Sequence, residues 1–102
     1  MDPTLVSEEL FGRRCRLFIA NWVRCHPKGR FYQSEPPALP HASASNVREE
    51  LKRLVRLGML DFDAPPDSRR KFYTRTSSPL WDLVELAAQI TALDDPHQED
   101  SW

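Results

Sequence analysis

The chain has 102 residues, 40% apolar and 28% charged, which fits one ordinary globular domain with a single modest core, small enough to gain from self-association. No apolar run approaches the roughly 20 residues of a membrane span and no signal peptide opens the chain, so a membrane partner is set aside and a cytoplasmic protein is expected. The formal charge of −1 hides a segregation: all 14 Lys and Arg lie between Arg13 and Arg75, where six acids leave +8, and the acids outside that span flank it, so the near-neutral total does not exclude an anionic partner.

In chain order, residues 1–6 are expected to form an N-terminal arm. A first helix is expected from Ser7, an N-cap followed by Glu8 and Glu9, to about Cys25, where His26-Pro27-Lys28-Gly29 stops it. Phe11, Cys15, Phe18 and Trp22 form one stripe, widened by Ile19 and Val23, as on a helix buried both by its own core and by a second subunit. Cys15 and Cys25 stand about 80° apart around such a helix, and so do not bond to each other within it. With no CxxC and no neighbouring set of three or four ligands, they read as buried thiols, and neither metal nor cofactor is expected. His26, His41 and His97 stand alone in turns or tail and are assigned no chemistry. Arg30-Phe31-Tyr32-Gln33 is a short strand. In the following Ser34-Glu35-Pro36-Pro37-Ala38-Leu39-Pro40-His41-Ala42, the prolines leave either one helical turn around Pro37 to Leu39 or an irregular loop held by Leu39.

The next helix, residues 43–57, has Ser43 as N-cap and Gly58 just beyond its end. Val47, Leu51, Leu54 and Val55 make its apolar face, and Ser45, Asn46, Arg48, Glu49, Lys52, Arg53 and Arg56 its polar face. Short polar groups suit base edges and long cations suit phosphates, the chemistry of a helix in a DNA major groove. Glu49 either serves a capping box with Asn46 or faces DNA, and Glu50 is placed to pair along the helix with Arg53. Met59-Leu60-Asp61-Phe62 and Lys71-Phe72-Tyr73-Thr74-Arg75-Thr76 alternate as strands around the turn-rich Asp63 to Arg70, a β-hairpin with a basic tip. Ser78 and Pro79 open a last helix over about 78–93. Its apolar stripe is Leu80, Leu83, Val84, Ala87, Ile90 and Thr91, and Trp81 with Leu86 adds a second strip, which covers either a dimer partner or the N-terminal arm. Residues 94–102 read as an acidic disordered tail, with Trp102 at its end.

A capped cationic helix, a Gly turn and a basic hairpin in this order resemble the winged helix-turn-helix transcriptional regulators of the ArsR/MarR-like kind. The residues that carry the resemblance are Ser43-Ala44-Ser45-Asn46-Val47, Leu51-Lys52-Arg53-Leu54, Leu57-Gly58-Met59-Leu60 and Arg69-Arg70-Lys71-Phe72-Tyr73, and it spans about residues 10–92. It implies a mainly α chain with a small antiparallel hairpin (α+β), folded as a winged helix-turn-helix over residues 7–93. It also implies a homodimer that represses transcription by occupying double-stranded DNA in the nucleoid. Carried over by position, Ala44, Ser45, Asn46 and Arg48 would face bases, with Lys52 and Arg53 toward the backbone. The wing at 63–70, with Arg69, Arg70 and the adjacent Lys71, would grip the minor groove. Phe11, Cys15, Phe18, Trp81, Val84, Leu86 and Ile90 would form the dimer interface. The resembling metal sensors carry paired cysteines that this chain lacks, and the sequence names no small-molecule effector. The Pro-rich 34–42 departs from the pattern where relatives place the first helix of the helix-turn-helix.

The alternative is a winged-helix module or adaptor subunit that binds protein without reading DNA, which has no need of a +8 span with cations on both helix and wing. An enzyme is not expected, since the sequence offers no acid/base pair, activated nucleophile, phosphate loop or metal spacing.

Overall fold

The computed structural model describes residues 1–97. Its elements run α1 (Pro3–Phe11), α2 (Arg16–Cys25), β1 (Arg30–Tyr32), α3 (Ala44–Arg56), β2 (Leu60–Asp63), β3 (Phe72–Arg75) and α4 (Leu80–Ile90). The chain is thus α+β, four helices against one antiparallel sheet in the order β1-β3-β2. Among the described residues no helix is long and apolar enough to cross a membrane.

The single N-terminal helix expected from Ser7 to Cys25 is two helices, and Pro3 to Val6 are helical rather than a loose arm. Asp2 caps α1 by accepting from the Thr4 N–H at 2.9 Å, with Pro3 in the first helical position. Gly12, at φ +88°, ends α1 in the left-handed region that glycine enters without a Cβ clash. Ser7 is fully buried mid-helix: its hydroxyl donates to the Arg13 carbonyl and accepts from the Leu17 N–H at 3.0 Å. It therefore caps α2 from across the turn, where Cys15 supplies no side-chain cap.

α2 carries the core. Leu17, Ile19 and Val23 are fully enclosed with Leu51 of α3, and with Phe31, Leu60 and Tyr73, one from each strand. The C-terminal carbonyls of α2 are satisfied by Arg75, whose Nη1 donates to Val23 (2.9 Å), Arg24 (2.8 Å) and His26 (3.1 Å), so this cation of the basic span is structural. His26 is not isolated either. It is buried against Trp22 and Phe31, and its Nδ1 accepts from the Lys28 N–H (3.2 Å), which leaves Nε2 to donate to Glu35 at 2.8 Å. His97 joins this cluster, ring against Trp22 at 4.8 Å, and Asn21 holds the Asp94 carbonyl at 3.1 Å. Residues 94–97 are thus docked on α2 where a disordered tail was expected; the rest of that tail, with Trp102, lies outside the described residues.

Residues 33–43 contain no helix. Three prolines break the run, Leu39 and Ala42 pack against the core, and His41 lies against Phe18 with its Nε2 at 3.2 Å from the Thr4 hydroxyl. α3 ends as expected at Gly58: φ is +74°, the Gly58 N–H donates to Val55 and the Met59 N–H to Leu54, the pattern of a Schellman cap. Gly58→Ala is expected to cost about 1 kcal/mol from conformation alone, since a Cβ there meets nothing within 4 Å. At Gly12 a Cβ would also press on Arg16 Nη1 at 3.3 Å, so Gly12→Ala should cost more in urea unfolding; equal losses would show that this contact does not matter.

α4 is turned relative to the stripe read from its sequence. Trp81, Val84, Ala87, Ala88 and Thr91 face inward, and the Trp81 indole N–H donates to the Met59 carbonyl at 3.1 Å. Leu80, Leu83, Leu86 and Ile90 face outward. α4 starts one residue later than expected: Pro79 rather than Ser78 is the N-cap residue, and the Ser78 hydroxyl accepts from the Leu80 N–H at 3.2 Å from just outside the helix.

Candidate nucleic-acid interface

α3 presents two opposed faces. Val47, Glu50, Leu51 and Leu54 are buried; Ser45, Arg48, Lys52 and Arg56 form an exposed stripe within an arc of roughly 80° on the other side. Ser43 and Asn46 form a reciprocal capping box: the Asn46 N–H donates to the Ser43 hydroxyl (3.1 Å), and Asn46 Oδ1 accepts from the Ser43 N–H (3.0 Å). The box pairs Asn46 with Ser43 and not with Glu49. It also occupies the Asn46 oxygen, so of its amide only the NH₂ remains to meet a base. Ala44 and Ser45 are exposed in the first turn.

Both acids of α3 pair with cations of the α1–α2 region: Glu50 lies on the buried face, whereas Glu49 is exposed, about 20° beyond Arg56 at the edge of the stripe. Glu50 is only 3% exposed. It accepts from Arg16 Nε (2.7 Å) and Nη2 (3.1 Å) and from Arg13 Nη1 (3.3 Å), while the expected partner Arg53 stands at 4.0 Å. Glu49 pairs with Arg13 at 3.4 Å. Arg14 pairs with Glu8, and Arg30 with Asp63 at 3.3 Å. Apart from Arg75, which is held by carbonyls, six cations thereby stand without an acidic partner on α3 and the hairpin, among the described residues: Arg48, Lys52, Arg56, Arg69, Arg70 and Lys71.

Helix and hairpin meet at a groove of about 310 Å³ lined by Lys52, Val55 and Arg56 of α3, Phe62 of β2, Lys71 and Tyr73. Arg48 lines the adjoining cleft toward the Pro-rich loop, and Gln33 borders both. Gln33 Oε1 accepts from the Tyr73 hydroxyl at 3.2 Å, and burial raises the Tyr73 phenol above its ordinary pKa. At the wing, Arg69, Arg70 and Lys71 are all exposed, and the Arg70 guanidinium lies over the Tyr32 ring at 4.4 Å. Arg70 is thus steadied on the sheet while still open to solvent, and Arg69 makes no such contact.

The residues expected to form a dimer interface divide. Cys15, Phe18, Trp81 and Val84 are buried in the chain's own core, because α1 folds back on α2 and α4 turns Trp81 inward; they offer nothing to a partner. Phe11 is half-buried against the core. Leu86 and Ile90 remain outside, and with Leu83 they border an apolar groove completed by Met1, Leu5 and Leu10. Leu5 was expected on an arm able to cover a partner's surface, and Leu10 was missed because it lies off the stripe of Phe11, Cys15, Phe18 and Trp22. Burial raises both the Cys15 and Cys25 thiols above their ordinary pKa, which disfavours the reactive thiolate. Among the described residues no three His, Cys, Asp or Glu side chains stand together to hold a metal. No protein-family model matches the chain, and neither a curated protein nor a solved structure matches it.

Proposed function

We propose that this chain is a sequence-specific DNA-binding transcriptional regulator that acts as a homodimer, with α3 in the major groove and the β2–β3 hairpin at the minor groove. The observation that carries this reading is the sorting of charge: acids neutralise the cations around the α1–α2 turn, while Arg48, Lys52, Arg56, Arg69, Arg70 and Lys71 meet no acid among the described residues. A cationic helix stripe bordering a cationic hairpin suits two adjacent runs of phosphates. The element order, with β1 paired to β3 and α3 leading into the hairpin, agrees with a winged helix; the loop at 33–43 stands where its first recognition-unit helix would be. Arg48 is the side chain best placed for base edges, because Asn46 is partly spent on its cap and the Ser45 hydroxyl shares a hydrogen bond with the Ser43 hydroxyl at 3.0 Å. In a dimer the two α3 helices would address half-sites about 34 Å apart, one turn of DNA. The Pro-rich loop favours the adaptor as the second reading, but that reading gives six unpaired cations nothing to do.

The test is fluorescence anisotropy on duplex from upstream of the chain's own gene and on random duplex, across a salt series. Arg48→Ala is expected to cost about 1–3 kcal/mol on the preferred sequence and to relax specificity. Arg56→Ala should weaken all sequences alike and lower the salt slope by about 1 per subunit. Weak, sequence-blind binding that neither variant changes would overturn the regulator and leave the adaptor.

A further inference from the structure

Phe62 is 48% exposed although it sits on the inner side of the hairpin, in register with Tyr73 and with its ring 5.4 Å from that ring. Leu60, two residues earlier on the same face of β2, is fully buried. At Phe62 the inner face of the hairpin opens into the groove beside α3. Its floor is apolar (Val55, Phe62, Tyr73) and its rim cationic (Lys52, Arg56, Lys71), with no acid lining it. Asp61 and Asp63 flank Phe62 in sequence but project from the other face of the strand, where Asp63 is held by Arg30.

An apolar floor between cationic walls matches a chain that alternates apolar and anionic units. We infer that this groove seats the sugar–phosphate backbone of one strand of duplex DNA, with a deoxyribose face packed on Phe62 and Val55 and the flanking phosphates held by Lys52, Arg56 and Lys71. The assignment rests on the DNA-binding reading and adds to it a contact that carries neither charge nor base identity. Phe62 fixes how deeply α3 enters the groove, so Arg48 reaches base edges only when the backbone is seated.

Anisotropy titrations of wild type, Phe62→Ala, Phe62→Leu and Lys71→Gln against a duplex and against its separated strands test it. Removing the half-exposed ring is expected to weaken duplex binding about tenfold with the salt slope unchanged, because packing is lost and no phosphate contact is. Phe62→Leu, which keeps apolar contact with the sugar, should stay near wild type, and Lys71→Gln should lower the slope. In the wild-type protein the Phe62 ring proton resonances should shift on adding duplex, a readout independent of how the variants fold. Duplex binding by wild type with Phe62→Ala equal to it and no ring shift would overturn the groove assignment alone. Preference for single strands, with Phe62→Leu as weak as Phe62→Ala, would overturn it in favour of a base stacked on the ring. Absence of any duplex binding by wild type would remove the DNA reading itself, and this assignment with it.

Discussion

Replacing Leu86 and Ile90 together by glutamate is expected to leave the chain folded and to cut affinity for a two-half-site duplex by about 10²–10⁴-fold. Both side chains are more than half exposed, at 53% and 54%, on the outer face of α4 and outside the buried core, so the isolated chain loses far less packing with them than with a core residue. What they border is an apolar groove shared by two helices, with Leu83 beside them and Met1, Leu5 and Leu10 opposite. On the homodimer reading this groove is the contact, and two carboxylates in it would each need a desolvated place with no cation provided. The affinity change would be large because binding of the second half-site is intramolecular in a dimer and bimolecular in a monomer. Sedimentation velocity reads the mass and anisotropy the affinity. A variant that remains dimeric, or a monomer that binds as tightly as wild type, would remove this face from the functional assembly.

How far the sequence could be read depended on whether each signal was local. Ser43 and Gly58 act within one turn of themselves and begin and end α3 as their chemistry requires, and Ser78 still meets the first helical N–H of α4 although Pro79 takes the N-cap position. The hairpin strands were legible because apolar and polar residues alternate and the turn residues between them are dense. Gly12 was misread because one glycine inside an apolar periodicity is compatible with a continuous helix; what settles the break is Ser7, whose partners Arg13 and Leu17 lie beyond it. The rotation of α4 follows likewise from a distant bond, between Trp81 and the Met59 carbonyl.

The cations of the candidate interface were named from the sequence, but which of them are free was not. Arg16 and Arg75 look like Arg48 in one dimension; a buried carboxylate and three helix-end carbonyls consume the first two. Phe62 read as one half of a strand pair, and its exposure depends on how far α3 stands from the sheet, which no alternation pattern encodes. The parity of Leu60 and Phe62 was the one available signal, since it puts both on the side that faces α3.

Glu50→Ala is expected to be the most destabilising alanine substitution at a polar position of α3, at about 3 kcal/mol. Its carboxylate is nearly inaccessible and accepts from two guanidinium groups, those of Arg16 and Arg13, so it joins the α1–α2 turn to the helix that bears Arg48 and Lys52. Alanine would remove the acceptor and leave Arg16, whose side chain is 22% exposed, facing the core edge with only the Phe11 carbonyl at 2.6 Å to hold it. That residual access to water sets the loss at the lower end of what breaking a buried pair costs. For a domain of this size the melting temperature should fall by roughly 15 °C. Glu50→Gln, which keeps the shape and one good acceptor, should lose less than half as much. A double-mutant cycle with Arg16→Ala isolates the pair: Arg16→Ala in the Glu50→Ala background should cost far less than in wild type, because the cation it removes is already unpartnered. Additive losses would mean that the two residues stabilise the chain separately, and α3 would then be held by its apolar face of Val47, Leu51 and Leu54. Coupled losses would make Glu50 the point at which the N-terminal helices fix the angle of α3, and with it the direction in which Arg48 points.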